Sequence, residues 1–338
     1  MNERVHRREF LGRAALGLAA LTAARQGALI AQGPPPQPPG MFPSLAPWAT
    51  ARGVGWPEQA HLAARIGYKG IDFPWDGVKK LGVDGTNALM RELGIVPTIC
   101  NLPAPNPLNG DDTAFKARMA TMADDAAFSA AIGSRRFQLV LGATTPGGIS
   151  KDDRWKVVTG RLAAISEVFA KHDVRLSLEF LGPLQFRMGG GGRRGGGPGD
   201  PGAAAAPPVP FVWTLAETLK LCEASGPNIG ITLDAWHWHH SEGTIADILA
   251  TPADRIVHVH VSDAREMPPA EVRDNMRLLP GEGVIDLVGF FQALQKIGWR
   301  GGIACETIGP RLDDVPPEEQ ARLGLDATMA VLKRAGVA

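Results

Sequence analysis

Residues 256–263 read IVHVHVSD. In an extended chain Val257, Val259 and Val261 fall on one face and His258, His260 and Ser262 on the other, because successive side chains of a strand point to opposite sides. The apolar face is suited to pack under helices. The polar face ends at a His and an Asp. That combination predicts a strand of a closed parallel barrel, buried on its outer side and opening at its C-terminal tip into a site. If so, other strands should end in metal-compatible side chains at the same mouth.

Working outward, strand-like and helix-like segments alternate along the rest of the chain. Strands are expected at 42–48, 70–74, 95–101, 136–141, 175–180, 229–234 and 302–306, besides the opening one. Helices are expected at 57–66, 84–93, 113–132, 154–172, 214–224, 244–249, 287–297 and 317–335. Alternation of this kind means either a doubly wound sheet or a parallel barrel. No glycine-rich dinucleotide or phosphate-loop fingerprint follows any strand, and eight units favour the α/β class in its (β/α)8 TIM barrel form, as a single domain. The first strand is the weakest of the set, because it contains two prolines.

Composition agrees. The 338 residues are 44% hydrophobic, enough for one large core. Thirty-five basic residues balance thirty-five acidic ones, so there is no electrostatic reason to expect a nucleic-acid or acidic-membrane partner. Three cysteines, Cys100, Cys222 and Cys305, are too few for a disulfide framework and are expected free and buried. No apolar run argues for a membrane span in the mature chain.

Three segments fall outside the barrel expected at 41–338. Residues 1–32 carry Arg7-Arg8-Glu9-Phe10-Leu11-Gly12 ahead of an Ala- and Leu-rich stretch, which resembles a twin-arginine (Tat) export signal. The expectation is an exported, periplasmic or signal-anchored protein. Residues 33–40, GPPPQPPG, read as a proline-rich linker. Residues 188–209 are a Gly-, Ala- and Pro-rich insertion after the fifth strand, expected to be disordered beside the mouth.

Four consecutive strands end in possible ligands: Glu179, Asp234, His260 and Glu306. Strand alternation turns Ser177 and Glu179, Thr232 and Asp234, His258 and His260, and Ala304 and Glu306 inward. Leu178, Leu233, Val259 and Cys305 then face the helices. Three carboxylates at one barrel mouth would repel one another without a cation. Three carboxylates and an imidazole suit one divalent ion, Mn, Mg, Co or Fe, with Zn also compatible.

With these residues in place, the chain resembles the xylose isomerase-like TIM barrels, the sugar phosphate isomerase/epimerase superfamily that includes tagatose and psicose 3-epimerases and the inosose dehydratase and isomerase group. The resemblance covers about residues 41–336. It rests on the quartet, on Asp234-Ala235-Trp236-His237, and on Arg277 to Gly283, which reads Arg-x-x-Pro-Gly-Glu-Gly. It implies that Glu179, Asp234, His260 and Glu306 hold the metal, that Glu179 and Glu306 are the catalytic bases, and that His237 contacts a substrate hydroxyl. Trp236, Arg265 and Arg277 are further candidates for substrate binding. The alternatives are a packing tryptophan and surface arginines. Asp263 is a candidate to orient His260, to bind substrate or to cap a turn.

The expected substrate is a small sugar or keto-sugar, and a homo-oligomer is compatible with the sequence. The expected reaction is isomerisation or epimerisation by proton abstraction next to a carbonyl. The runner-up is a lyase or dehydratase acting on keto-sugars or 3-keto-glycosides by β-elimination, and a non-catalytic sugar-binding barrel is the third reading. A nuclease of the same barrel type would need histidines from the early strands and a basic face, and neither is present.

Overall fold

Eight parallel strands pair in sequence order and the last pairs with the first, closing a barrel. They are β1 (Met41–Leu45), β2 (Gly70–Phe73), β3 (Val96–Asn101), β4 (Arg136–Val140), β5 (Arg175–Glu179), β6 (Ile229–Asp234), β7 (Ile256–Val261) and β8 (Gly301–Cys305). The structure is a computed structural model that describes residue 33, residues 35–189 and residues 208–338. The expected export signal at 1–32 lies outside the described residues, as does all but the edges of the insertion expected at 188–209. At the linker, the Gln37 side-chain amide donates to the Pro97 carbonyl at 2.9 Å.

The alternation read from the sequence is the alternation of the barrel wall. Leu178, Leu233, Val259 and Ile303 are fully buried beneath the helices, each contributing roughly 1.5–3 kcal/mol of hydrophobic stabilisation. On the inner face Thr232 pairs with His258, and Asp234 with His260. His260 in turn pairs with Ala304. Ala304 and Gly302 are small because the interior is crowded there. A Cβ on Gly302 would lie 2.5 Å from the Thr98 methyl.

The outer helices begin and end by ordinary chemistry. The side chains of Asp111 and Ser150 cap helices Asp112–Ala131 and Lys151–Ala170. Gly94 and Gly336 take left-handed conformations that end Trp75–Leu93 and Pro317–Ala335.

Three segments differ from the sequence reading. Strand β1 stops at Leu45, and Pro47 opens a short helix, Pro47–Thr50, that places Trp48 over the mouth. A proline at a first helical position leaves no donor unsatisfied. The helix expected at 84–93 begins at Trp75 and is broken at Gly82, whose φ is 78°. The stretch after Asp234, expected as loop, is a helix, Ala235–His240.

Candidate metal centre

Four strand ends meet at the C-terminal mouth. Glu179, Asp234, His260 and Glu306 each offer a ligand atom, and these atoms all lie within 4.8 Å of one another. All four side chains are buried. His260 Nδ1 stands 2.9 Å from Glu179 Oε1 and 3.0 Å from Glu306 Oε2.

The remaining carboxylate oxygens are held from outside. Gln138, on β4, donates its side-chain amide to Glu179 Oε2 at 3.0 Å. The Trp48 indole donates to Glu306 Oε1 at 3.4 Å. Asp234 also begins the helix Ala235–His240, its Oδ1 accepting the backbone N–H groups of Trp236 and His237 at 2.7 and 3.4 Å.

Arg277 is not a surface residue. It is buried, and Nη1 donates to Asp234 Oδ2 at 2.6 Å and to Glu306 Oε2 at 3.1 Å. Nη2 lies 3.2 Å from His237 Nε2 and donates to Asp274 Oδ1 at 2.8 Å. The Arg277 guanidinium also stacks over the Trp236 ring, 4.6 Å from its centre. Trp236, a candidate for substrate binding with packing as the alternative, is buried as the platform under Arg277.

Asp263 explains how a loop residue reaches so deep. Its carboxylate accepts the backbone N–H groups of Ala264, Gly281 and Ile285 at 2.9, 2.9 and 3.0 Å. Its backbone pairs with Leu278 in both directions. The Pro-Gly-Glu-Gly stretch is thus pinned to the end of β7. Gly281 has a φ of 88°, and a Cβ on Gly283 would lie 2.1 Å from the Ala264 carbonyl oxygen. Of the roles expected for Asp263, the structure shows the turn anchor.

Electrostatics at the mouth are dominated by burial and charge pairing. Burial alone would push the Asp234 carboxyl up, but Arg277, His237 and His260 outweigh it and hold it well below the usual range. The Glu179 carboxyl is raised by burial and by the neighbouring charge of Glu306, with His260 opposing. Burial would lower His260, yet Glu306 and Glu179 raise it well above the ordinary histidine value. Burial likewise works against the Arg277 charge, and Asp234, Glu306 and Asp274 more than compensate.

Three buried carboxylates against one guanidinium leave two negative charges uncompensated unless His260 holds a proton. A divalent cation would cancel both and free the Nδ1 lone pair. The donor set, three carboxylate oxygens and one imidazole nitrogen, fits such an ion.

The remaining candidates are more dispersed. His237 is buried between Arg277, Trp236 and Phe186, and its Nδ1 has no hydrogen-bond partner among the described residues. Arg265 is exposed. It lines a cavity of about 440 Å³ with Arg187, His239 and His240, between the loops that follow β5, β6 and β7, and no quartet residue lines that cavity. His239 and His240 are half-buried in its wall, and burial pushes His240 down to about 3. The three cysteines are free and buried as expected; burial pushes Cys100 and Cys222 up to about 12 and Cys305 to about 11.

Sequence reasoning missed Trp48 and Asp72. The signal for Asp72 was present: a lone acidic residue within the buried strand GIDF, where an ionisable group is rare unless paired.

The sequence profile described as xylose isomerase-like TIM barrel matches residues 60–333. An inosose isomerase from Halalkalibacterium halodurans is 25% identical over 174 residues, covering 51% of this chain and 53% of that protein. An inosose dehydratase from Histophilus somni is 30% identical over 109 residues, covering 28% and 37%. The chain thus spans about half or less of the length of these curated relatives. The crystal structure of a xylose isomerase domain protein from Alicyclobacillus acidocaldarius superposes with a TM-score of 0.73 at 26% identity, covering 88% of this chain and 99% of that one.

Proposed function

The chain belongs to the xylose isomerase-like TIM barrel family, and on that premise we propose that it is a divalent-metal-dependent enzyme that isomerises or epimerises a sugar or keto-sugar by removing and returning a proton beside a carbonyl. The observation that carries this reading is the convergence of Glu179, Asp234, His260 and Glu306, with ligand atoms all within 4.8 Å of one another.

A divalent cation held by these four residues would polarise a bound carbonyl and acidify the neighbouring carbon. Glu179 and Glu306 arrive from different strands and both approach His260 Nδ1, at 2.9 and 3.0 Å, so two carboxylates stand at the site, one to take a proton from the substrate and the other to return it. Gln138 and Trp48 fix the rear oxygens of these glutamates, which limits their freedom to turn away. His237 Nδ1, buried and without a hydrogen-bond partner among the described residues, would contact a substrate hydroxyl.

A second reading has its own support. Arg277 faces His237 Nε2 as a donor, so the ring carries its proton on Nδ1. That proton could pass to a departing oxygen in a β-elimination, and the similarity to an inosose dehydratase favours the same chemistry. Export by the Tat route, drawn from the Arg7-Arg8 segment, belongs to this proposal and would place the enzyme among free sugars and glycosides.

The deciding experiment incubates metal-loaded protein with keto-sugars and 3-keto-glycosides in D₂O and follows products by NMR. Deuterium at an inverted or isomerised carbon is the expected result. Loss of water or an aglycone selects the elimination. No exchange and no product with any substrate overturns the enzyme reading in favour of a sugar-binding barrel.

A further inference from the structure

One layer below the quartet lies a second polar cluster. Asp72, on β2, is fully buried. Its Oδ1 accepts from Ser44 Oγ of β1 at 2.9 Å and from Thr98 Oγ1 of β3. Its Oδ2 faces across the barrel to β7, 3.3 Å from His258 Nε2 and 3.9 Å from His260 Nε2. His260 Nε2 is buried and has no hydrogen-bond partner among the described residues. The other nitrogen of that ring, Nδ1, is the one that meets Glu179 and Glu306.

We propose that Asp72 is the positioning residue for His260: it receives the Nε2 proton, fixes the tautomer and aims the Nδ1 lone pair at the metal centre. This rests on the metal-centre reading above. An imidazole that donates its lone pair through one nitrogen carries its proton on the other, and a buried N–H needs an acceptor. Asp72 Oδ2 is the acceptor that faces Nε2. The two hydroxyl donors on Oδ1 keep the carboxylate from turning away. Shortening the 3.9 Å gap by about 1 Å brings it to hydrogen-bond length, a small rotation of a ring now shared between two glutamates. His258 accounts for its own place by the same geometry, as a second donor to Oδ2 that holds the carboxylate facing β7.

Two measurements test the assignment. In the first, zinc affinity and stoichiometry are determined by chelator competition for the wild type and for Asp72→Asn, which keeps the side-chain shape. The expected result is one zinc per chain and an affinity about 10- to 100-fold weaker in the variant. Equal affinities overturn the Asp72 assignment alone. Two zinc ions per chain overturn it by making Asp72, His258 and His260 ligands of a second ion. No zinc uptake by the wild type overturns the metal-centre reading and this inference with it. In the second, nitrogen-15 NMR of histidine-labelled, zinc-loaded wild type reports the His260 tautomer. A proton on Nε2 with zinc on Nδ1 is expected, and the reverse overturns the proposal even where Asp72→Asn does not fold.

Discussion

Strands β5–β8 end in Glu179, Asp234, His260 and Glu306, whereas β1–β4 present Ser44, Asp72, Thr98 and Gln138 to the same interior. The second half of the barrel supplies ionisable groups gathered within 4.8 Å. The first half supplies polar groups that face them, from the adjacent strand β4 and from the more distant β2. Gln138 holds Glu179, and Asp72 faces His258 and His260. The difference is one of labour. Groups that would carry the chemistry sit on neighbouring strands, while the groups that contact them come from elsewhere: Gln138 from the adjacent β4, Arg277 from the loop after β7, and Asp72 from β2. A tightly packed interior transmits that restraint, because leaving a buried polar atom without a partner costs free energy.

The comparison can be broken most directly on the β5–β8 side. Glu306→Gln keeps the shape and removes the charge and basicity. At saturating metal, turnover should fall by about 10²- to 10⁴-fold while the substrate still binds, measured by steady-state kinetics and calorimetry. Near-normal turnover would remove Glu306 from the catalytic pair.

A smaller loss is expected from the supporting wall. Gln138→Leu deletes the donor to Glu179 Oε2, and a hydrogen bond to a charged group is worth about 1.5–3 kcal/mol. The expected outcome is a roughly 10- to 100-fold lower kcat/KM with the fold intact by circular dichroism. An unchanged value would mean that Glu179 needs no help from β4.

The mildest test is pH, in chelator. His260 has its folded-state value raised, so its contribution to stability is full below the unfolded value near 6.5 and is lost as pH rises through the folded one. Glu179, also raised, acts in the same direction, since its ionised form is disfavoured in the fold. Asp72 and Asp234 are depressed. Their contribution is present above the unfolded carboxylate range and is lost on the acid side. Metal-free protein should therefore melt at progressively lower temperature as pH rises above about 6.5, and a saturating divalent cation should flatten that decline by taking the place of the His260 proton. A flat profile in chelator would show that the mouth carries no such strain.

Much of this was legible in the chain. The period-2 pattern of IVHVHVSD, the recurring strand ends and the helical segments between them give the barrel and the quartet, because strand alternation and the convergence of parallel strand ends are consequences of backbone geometry. The loop residues were read less well. Arg277 was a candidate for substrate binding with a surface arginine as the alternative; it is buried, because Asp263 anchors its loop to the end of β7. Trp236 was a candidate for substrate binding with packing as the alternative, and it supports the Arg277 guanidinium. Trp48 was read as strand, and a proline turned it into a helix over the mouth.

What the sequence determined by itself, then, is the alternation of strand and helix and the four ligand-type side chains at successive strand ends. Only the tertiary structure decided which groups stand against them and the layer below: Arg277 from a loop 43 residues beyond Asp234, Gln138 from 41 residues before Glu179, and Asp72, which lies 186 residues before its partner His258. The physical reason is that periodicity is set by neighbours along the backbone, while a hydrogen bond across a barrel depends on where the closed sheet brings distant side chains.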